Sequence, residues 1–379
     1  MNYLERSVGN KKILWLKQYN RYLVLELSAY DVIKRKLEGQ DRKIISAHIS
    51  KSYHLPESEA KRYVGEIVTM IKQLSDYNIG DRGNSLNPSS VDIPNHFYST
   101  KCYKINELTF HVQYGSYHLE HLNHQKFAHL ESNLSNIPDH QFQVFQNGEQ
   151  SVLLVNGKII GQWLPENDHY LSGKFSMELL NAMYHRTESD WMGVFHASAI
   201  SNKEKCMLFL GDSGSGKSTT CAVLMASGFN LLADDFVPVD GSTGSVYSFP
   251  AAVSVKKSAI TSLIDFFPEL EAADEFAYPE MDKTVRFLPP VLQSDNSSMG
   301  YPCKALVFVK YKEDSGMTIE KLPSDVAFPK LVPDSWISPI EENASRFLDW
   351  FLGISCYQLI YSDNDRMVNA IQKLFSDDL

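Results

Sequence analysis

The sequence predicts a multidomain α/β protein, and three observations carry that prediction. The chain has 379 residues, too many for one ordinary domain of about 100–150 residues. From about residue 191 onward strand and helix patterns alternate, which implies a sheet with helices packed on it. At one strand-to-helix junction of that region stands GDSGSGKS, Gly211 to Ser218. The boundaries that composition sets are a first unit at 1–80, a linker at 81–96, a strand-rich unit at 97–190 and an α/β core at 191–379.

Bulk composition excludes several classes. Apolar residues make up 43% and aromatics 12% of the chain, enough for hydrophobic cores and too much for global disorder. A net charge of −10 argues against a general nucleic-acid coat. Residues 1–80 nevertheless carry 14 Lys and Arg against 9 Asp and Glu. That balance indicates either an anionic partner for the first unit or a solvated basic face. Cys102, Cys206, Cys221, Cys303 and Cys356 are odd in number and never at two-residue spacing, as expected of thiols in a reducing compartment. MNYLERSVGNKK lacks the apolar core of a signal peptide, and no run approaches the roughly 18 apolar residues of a membrane span. The expected location is cytoplasmic, with no membrane partner.

In the first unit KILWLKQ and RYLVLEL read as two strands around a polar YN turn. Three helices follow, in SAYDVIKRKLEG, QDRKIISAHISKSYHL and PESEAKRYVGEIVTMIKQL. In the last, Ala60, Tyr63, Ile67, Ile71 and Leu74 recur at helical spacing, with Pro56 at its start and Glu57 and Glu59 in the first turn. Two strands and three amphipathic helices form a winged-helix-like ground plan. NIGDRGNSLNPSSVDIPN has linker composition. Beyond it YKINELTFHVQY, HQFQVFQNG and QSVLLVNGKIIGQWL alternate and break at NG turns, a hairpin signal. A helix in KFSMELLNAMYHR leads to the core. The core strands are VFHASAIS, KCMLFL, NLLADD, SVYSFP, KALVFVKY and CYQLIYS, and its later helices are ENASRFLDWFLG and NDRMVNAIQKLFS.

GDSGSGKS satisfies the G-x-x-x-x-G-K-[ST] phosphate-loop pattern between the strand KCMLFL and the helix STTCAVLMAS, which Gly228 closes. The glycines let successive amides turn toward phosphate oxygens at a helix N-terminus. Lys217 would reach the β- and γ-phosphates, and the Ser218 hydroxyl would join a Mg²⁺ shell. The nucleotide-binding set is Gly211, Asp212, Ser213, Gly214, Ser215, Gly216, Lys217, Ser218 and Thr219. Asp234 and Asp235 follow at the exit of the strand NLLADD, 17 residues after Lys217. One carboxylate of such a pair can take a proton from an attacking hydroxyl while the other orients metal. His196 precedes Lys217 by 21 residues, on an expected strand beside the loop strand.

The order His196, GDSGSGKS, GFNLLADD resembles the HPr serine kinase/phosphorylase family, whose fold resembles phosphoenolpyruvate carboxykinase. The likeness spans roughly residues 190–375, and its specific part is Phe195 to Asp240. It implies Asp234 as base, Asp235 as Mg²⁺ ligand or its neighbour, and His196 as a group steadying the γ-phosphate or the base. Where the bifunctional enzymes carry an acidic-x-Arg-Gly signature, this chain has YSFPAAVSVKKSAI, so phosphorolysis is not expected. Lys283 and Arg286 fall in PEMDKTVRFLPP, read as a Pro-flanked basic loop, in which Arg286 or Lys283 stabilises transferred charge or the two form a solvated pair.

The first unit resembles PqqD-like domains, which recognise leader peptides of ribosomally made natural products. The likeness implies a peptide added as a strand to an exposed edge in RYLVLEL or its partner, walled by the helix bearing Tyr63 and Ile67. No helix shows the Arg, Asn and Gln row of a base reader, so nucleic acid is not an expected partner. The expected function is an ATP- and Mg²⁺-dependent kinase of a Ser or Thr hydroxyl on a peptide or small protein delivered by residues 1–80. Two alternatives stay open: a kinase of a small hydroxyl compound such as free serine, and a nucleotide-gated binding module without transfer. A homo-oligomer is compatible with each.

Overall fold

Residues 3–76, 91–133, 137–278, 283–290 and 299–376 are described by a computed structural model of the chain. Most of the expected linker, residues 81–90, lies outside them. The first unit holds three strands rather than two, Tyr3–Val8, Lys11–Leu16 and Arg21–Glu26, in an antiparallel meander. YLERSV escaped the sequence pattern because its alternation is among half-buried residues. Helices Leu27–Leu37, Arg42–Ser52 and Glu57–Asp76 follow.

Strand side chains alternate between faces, and here both faces are covered. Leu14, Leu16 and Leu25 pack on Ala29, Tyr30 and Ile33 of the unit's own first helix. Tyr63 and Ile67 join that core, with the Tyr63 hydroxyl bonded to that of Ser28 at 2.8 Å. Val8, Ile13 and Trp15, from the other face, join a core that runs through the rest of the protein. There the Tyr22 ring meets Phe328 and Phe347 edge-on, at 5.9 and 5.3 Å. At the rim, Arg6 pairs with Asp349 at 2.7 Å and Lys17 with Glu341 at 2.7 Å.

The strand-rich unit is a five-stranded sheet of Ser99–Ile105, Leu108–Tyr114, His140–Asn147, Gln150–Val155 and Lys158–Trp163. Asn156 and Gly157 both take positive φ, 51° and 76°, the twist a two-residue hairpin turn requires. One pairing is parallel, between Leu108–Tyr114 and His140–Asn147. The crossover contains a helix, Tyr117–His124, and a 3₁₀ turn, Gln125–Leu130. Neither was anticipated, since YHLEHLNH carries too few apolar residues to set a helical period. The next helix spans Asp168–Met183, starting before the expected Lys174.

The core is a mixed ten-stranded sheet. Cys206–Leu210 lies parallel to Tyr301–Tyr311, which lies parallel to Ser355–Tyr361. The expected single strand VFHASAIS is two strands. Trp191–Phe195 pairs with Val237–Asp240, and Ser198–Ser201 pairs with Asn230–Asp234 and Cys206–Leu210. His196 therefore sits at a strand break, not within a strand. A second break at Asp235–Phe236 lies opposite, because Phe195 faces Val237 and Ser198 faces Asp234 across the ladders. Two neighbouring strands bend at one level, and Asp235 makes its bend in the left-handed region at φ 62°.

Lys283 and Arg286 also differ from expectation. Lys283–Leu288 is the middle strand of an antiparallel sheet with Val253–Lys256 and Phe276–Tyr278, not a loop. The β-branched and aromatic residues of KTVRFL favour a pleated, half-buried surface. Residues 279–282 of that stretch lie outside the described residues. Among the described residues no helix is long and apolar enough to cross a membrane.

Phe347, fully buried on helix Glu341–Gly353, touches the rings of Tyr22, Phe195 and Phe328. Phe347→Ala is expected to lower stability by about 3–5 kcal/mol through the cavity it leaves. Arg6→Ala, at an exposed ion pair, should cost less than about 1 kcal/mol. Urea unfolding midpoints separate the two, and equal losses would contradict this account of the docking.

Candidate active site

The loop Gly211–Gly216 joins the buried strand Cys206–Leu210 to the helix Lys217–Ala226. Two of its glycines have no substitute. At Gly211, with φ 142°, a Cβ would lie 2.8 Å from the Val309 carbonyl oxygen. At Gly216, with φ 102°, it would lie 3.2 Å from Tyr311 Cβ. Neighbouring strands hold the loop in place: the Tyr311 N–H donates to the Ser215 carbonyl at 2.8 Å. The Thr220 hydroxyl donates to the Gly216 carbonyl at 2.8 Å and meets the Tyr361 hydroxyl at 2.9 Å.

Lys217 is 6% exposed, and its ammonium donates to the Gly211 carbonyl at 2.6 Å. The Ser215 hydroxyl is buried without a partner. An orphaned donor in a loop that opens a helix fits a phosphate oxygen, to which the free amides of the helix N-terminus also point. Lys256, noted in sequence only as a departure, places its ammonium 3.2 Å from the Ser213 hydroxyl. The strand Val253–Lys256 brings this second cation to the loop.

Asp234 ends the strand Asn230–Asp234 and is 3% exposed. Its Oδ1 accepts from the Ser198 hydroxyl at 2.5 Å and the Ser218 hydroxyl at 3.1 Å. Its Oδ2 accepts from the Ser254 N–H at 3.2 Å. Burial, and then the neighbouring Asp235, push this carboxyl up to about 7, against the three hydrogen bonds. Asp235 and His196 are of another kind. Their side chains are 38% and 40% exposed, and His196 Nδ1 lies 3.7 Å from Asp235 Oδ1. The two strand breaks create that meeting.

The structure thus brings Lys217, Ser218, Asp234, Asp235 and His196 together. It engages Arg286 elsewhere, donating to the Leu270 and Glu271 carbonyls at 2.5 and 2.7 Å and lying 3.7 Å from Glu275. Ser198 and Ser254 escaped sequence reasoning, although Ser198 lies two residues beyond His196, at the start of the next strand. The residues fit a Mg²⁺ ion: Ser218 and Asp234 already share a hydrogen bond, and a divalent cation would relieve the buried carboxylate. Mg²⁺ typically needs only one or two carboxylates beside phosphate and water.

Fold and site together define an α/β protein with a phosphate-type loop beside a buried carboxyl. No family model matches the chain, and no curated protein matches it. Among solved structures the HPr(Ser) kinase/phosphatase from Coxiella burnetii is similar at 10% identity, over 48% of this chain and 88% of that one, with a TM-score of 0.21. A likeness of that size carries no argument about activity.

A carboxyl raised from 3.8 to about 7 keeps its proton in the folded protein where the unfolded chain has lost it. Unfolding then releases a proton, so ligand-free stability falls as pH rises from about 4 to about 7. At roughly 1.4 kcal/mol per pKa unit the loss amounts to a few kcal/mol. Asp234→Asn should flatten that slope in denaturant titrations over this range. A slope unchanged by the substitution would mean that Asp234 is ionised in the free protein.

Proposed function

We propose that this chain is an ATP- and Mg²⁺-dependent kinase that transfers the γ-phosphoryl group to a Ser or Thr hydroxyl of a peptide or small protein. The observation that supports this best is the division of labour at the aspartates. Asp234 faces inward and binds the Ser218 hydroxyl, while Asp235 and His196 stand in the open beside it. In this reading the two aspartates exchange the roles that the family resemblance implied. Asp234 and Ser218 would hold a Mg²⁺ ion, which would supply charge neutralisation for the phosphates.

Asp235 accepts the proton of the attacking hydroxyl, and His196 orients it. A base needs access to its substrate, which a carboxyl with three internal donors lacks. Lys217 and Lys256 flank the loop and offset the charge of the transferred group. The bond from the γ-phosphorus to the bridging oxygen breaks as that from the acceptor oxygen forms. The acceptor's proton passes to Asp235, and the nucleoside diphosphate is the leaving group.

Peptide delivery by residues 1–80 is part of the proposal. Both faces of the three-stranded sheet are covered, which leaves its edges for recognition. Among the described residues neither Tyr3–Val8 nor Arg21–Glu26 has a strand on its outer side, as β-strand addition requires. Tyr63 and Ile67 face the core, so they would support the wall of such a groove more than line it. Holding the peptide there raises the effective concentration of its hydroxyl at the loop.

The test is transfer from γ-labelled ATP to peptides encoded beside the gene, read by mass spectrometry. Lys217→Ala should lose both nucleotide binding and transfer. Asp235→Asn should lower kcat by about 10²–10⁴ while nucleotide affinity holds, the range of general-base losses. Asp234→Asn should instead shift the Mg²⁺ dependence to higher concentration. Tight ATP binding with no transfer to any peptide or to free serine would replace this reading with that of a nucleotide-gated module.

A further inference from the structure

The strand-rich unit has no part in the function proposed so far, yet one of its lysines lies within electrostatic reach of Asp235. Lys126 lies in the 3₁₀ turn Gln125–Leu130, inside the unanticipated crossover. Its ammonium donates to the hydroxyls of Ser172 and Ser176, both at 3.2 Å, on helix Asp168–Met183. It lies 5.4 Å from the centre of the Phe127 ring. Among the described residues no carboxylate lies within ion-pair distance of it. A half-buried ammonium held by two neutral hydroxyls leaves its charge uncompensated, and an anion would complete it.

Its position relative to the site follows from the backbone. The Lys126 carbonyl accepts from the Ala252 N–H at 2.8 Å. Ala252 leads into the strand Val253–Lys256, in which Ser254 bonds Asp234 and Lys256 reaches the phosphate loop. At about 3.3 Å per extended residue, that strand passes Lys126 first, the aspartates next and the loop last. The Lys126 main chain therefore lies on the side of Asp234 away from the phosphate loop. Asp235 is near enough to favour its charged form and Lys283 near enough to oppose it, while burial brings the ammonium down to about 8. It stays mostly protonated at neutral pH.

The same crossover also closes one flank. His121 Nε2 donates to the Ala277 carbonyl at 3.2 Å, and its ring packs near Tyr117, Phe276 and Tyr278. The strand-rich unit and the small sheet that carries Lys256 are thus joined at two places, Lys126 and His121.

We propose that Lys126 is an anion-binding residue of the acceptor site, a cation supplied by the strand-rich unit to hold a carboxylate carried by the phosphoryl acceptor. The proposal deepens the kinase reading and rests on it for the name acceptor. On this assignment the preferred hydroxyl is one with a free carboxylate close by, such as a chain-terminal serine or one beside an acidic residue.

The experiment uses the full chain with Mg²⁺ and a non-hydrolysable ATP analogue. N-acetylserine and N-acetylserinamide serve as probes, alike except for the carboxylate. Acylation of Lys126 by a small neutral reagent is followed by mass spectrometry. The free acid is expected to slow labelling at least about fivefold and the amide hardly at all, as a charge-assisted contact implies. Equal protection by both probes, or by neither, would overturn the proposal. So would protection by the nucleotide analogue alone, which would assign Lys126 to the phosphates. In binding measured by saturation-transfer NMR, Lys126→Gln should erase the preference for acid over amide, and Lys126→Arg should keep it. Selective protection, together with no transfer in the separate γ-labelled ATP assay, would sink the kinase reading and leave the anion site. Transfer without protection would do the reverse.

Discussion

The buried carboxyl of Asp234 is the constraint on which the site depends. Three donors converge on it: Ser198 from a bent strand, Ser218 from the phosphate-loop helix and the Ser254 amide from the adjoining small sheet. A buried acceptor left without partners costs about 1–3 kcal/mol per lost bond, so these elements are held in one relative arrangement. That arrangement fixes the register at which two strands bend, and the bends leave His196 and Asp235 facing each other. A proton or a divalent cation offsets the charge, and either choice reaches the loop directly through Ser218.

Around this node the phosphate loop is fixed by close backbone packing as well as by side-chain bonds from Thr220, Lys217 and Lys256. Gly211 and Gly216 approach Val309 and Tyr311 closely enough to disfavour a Cβ, so the loop lies against the end of the strand Tyr301–Tyr311. Within the loop the Ser215 N–H donates to the Asp212 carbonyl at 3.0 Å, and the Lys217 ammonium folds back onto the Gly211 carbonyl. An incoming phosphate would exchange with that carbonyl. The site is organised before its ligand arrives, which lowers the ordering cost of binding.

The outer units are not independent attachments. The first sheet buries one face on its own helices and the other against Phe328 and Phe347, and the same core continues into the strand-rich unit. Burial on both faces gives the sheet a fixed direction relative to the phosphate loop. The strand-rich unit reaches the site through a crossover, the one connection in its sheet where parallel pairing demands extra chain. That detour is where Lys126 and His121 reside.

The sequence by itself determined the local features. GDSGSGKS identified the loop because glycine positions and a lysine at fixed spacing encode backbone geometry directly. NG turns located the hairpin of the strand-rich sheet, and 3.6-residue periodicity located the long helices, because those signals lie within a few neighbouring residues. Asp234 at a strand exit was legible for the same reason. Only the tertiary structure decided that Asp234 is buried while Asp235 is open, that His196 stands at a break, and that Arg286 is engaged with two backbone carbonyls. It also brought Ser198, Ser254, Lys256 and Lys126 to the site. Those outcomes depend on which strands pair and where they bend. Pairing is a long-range choice, made by burial over the whole sheet, and no short stretch of sequence carries it.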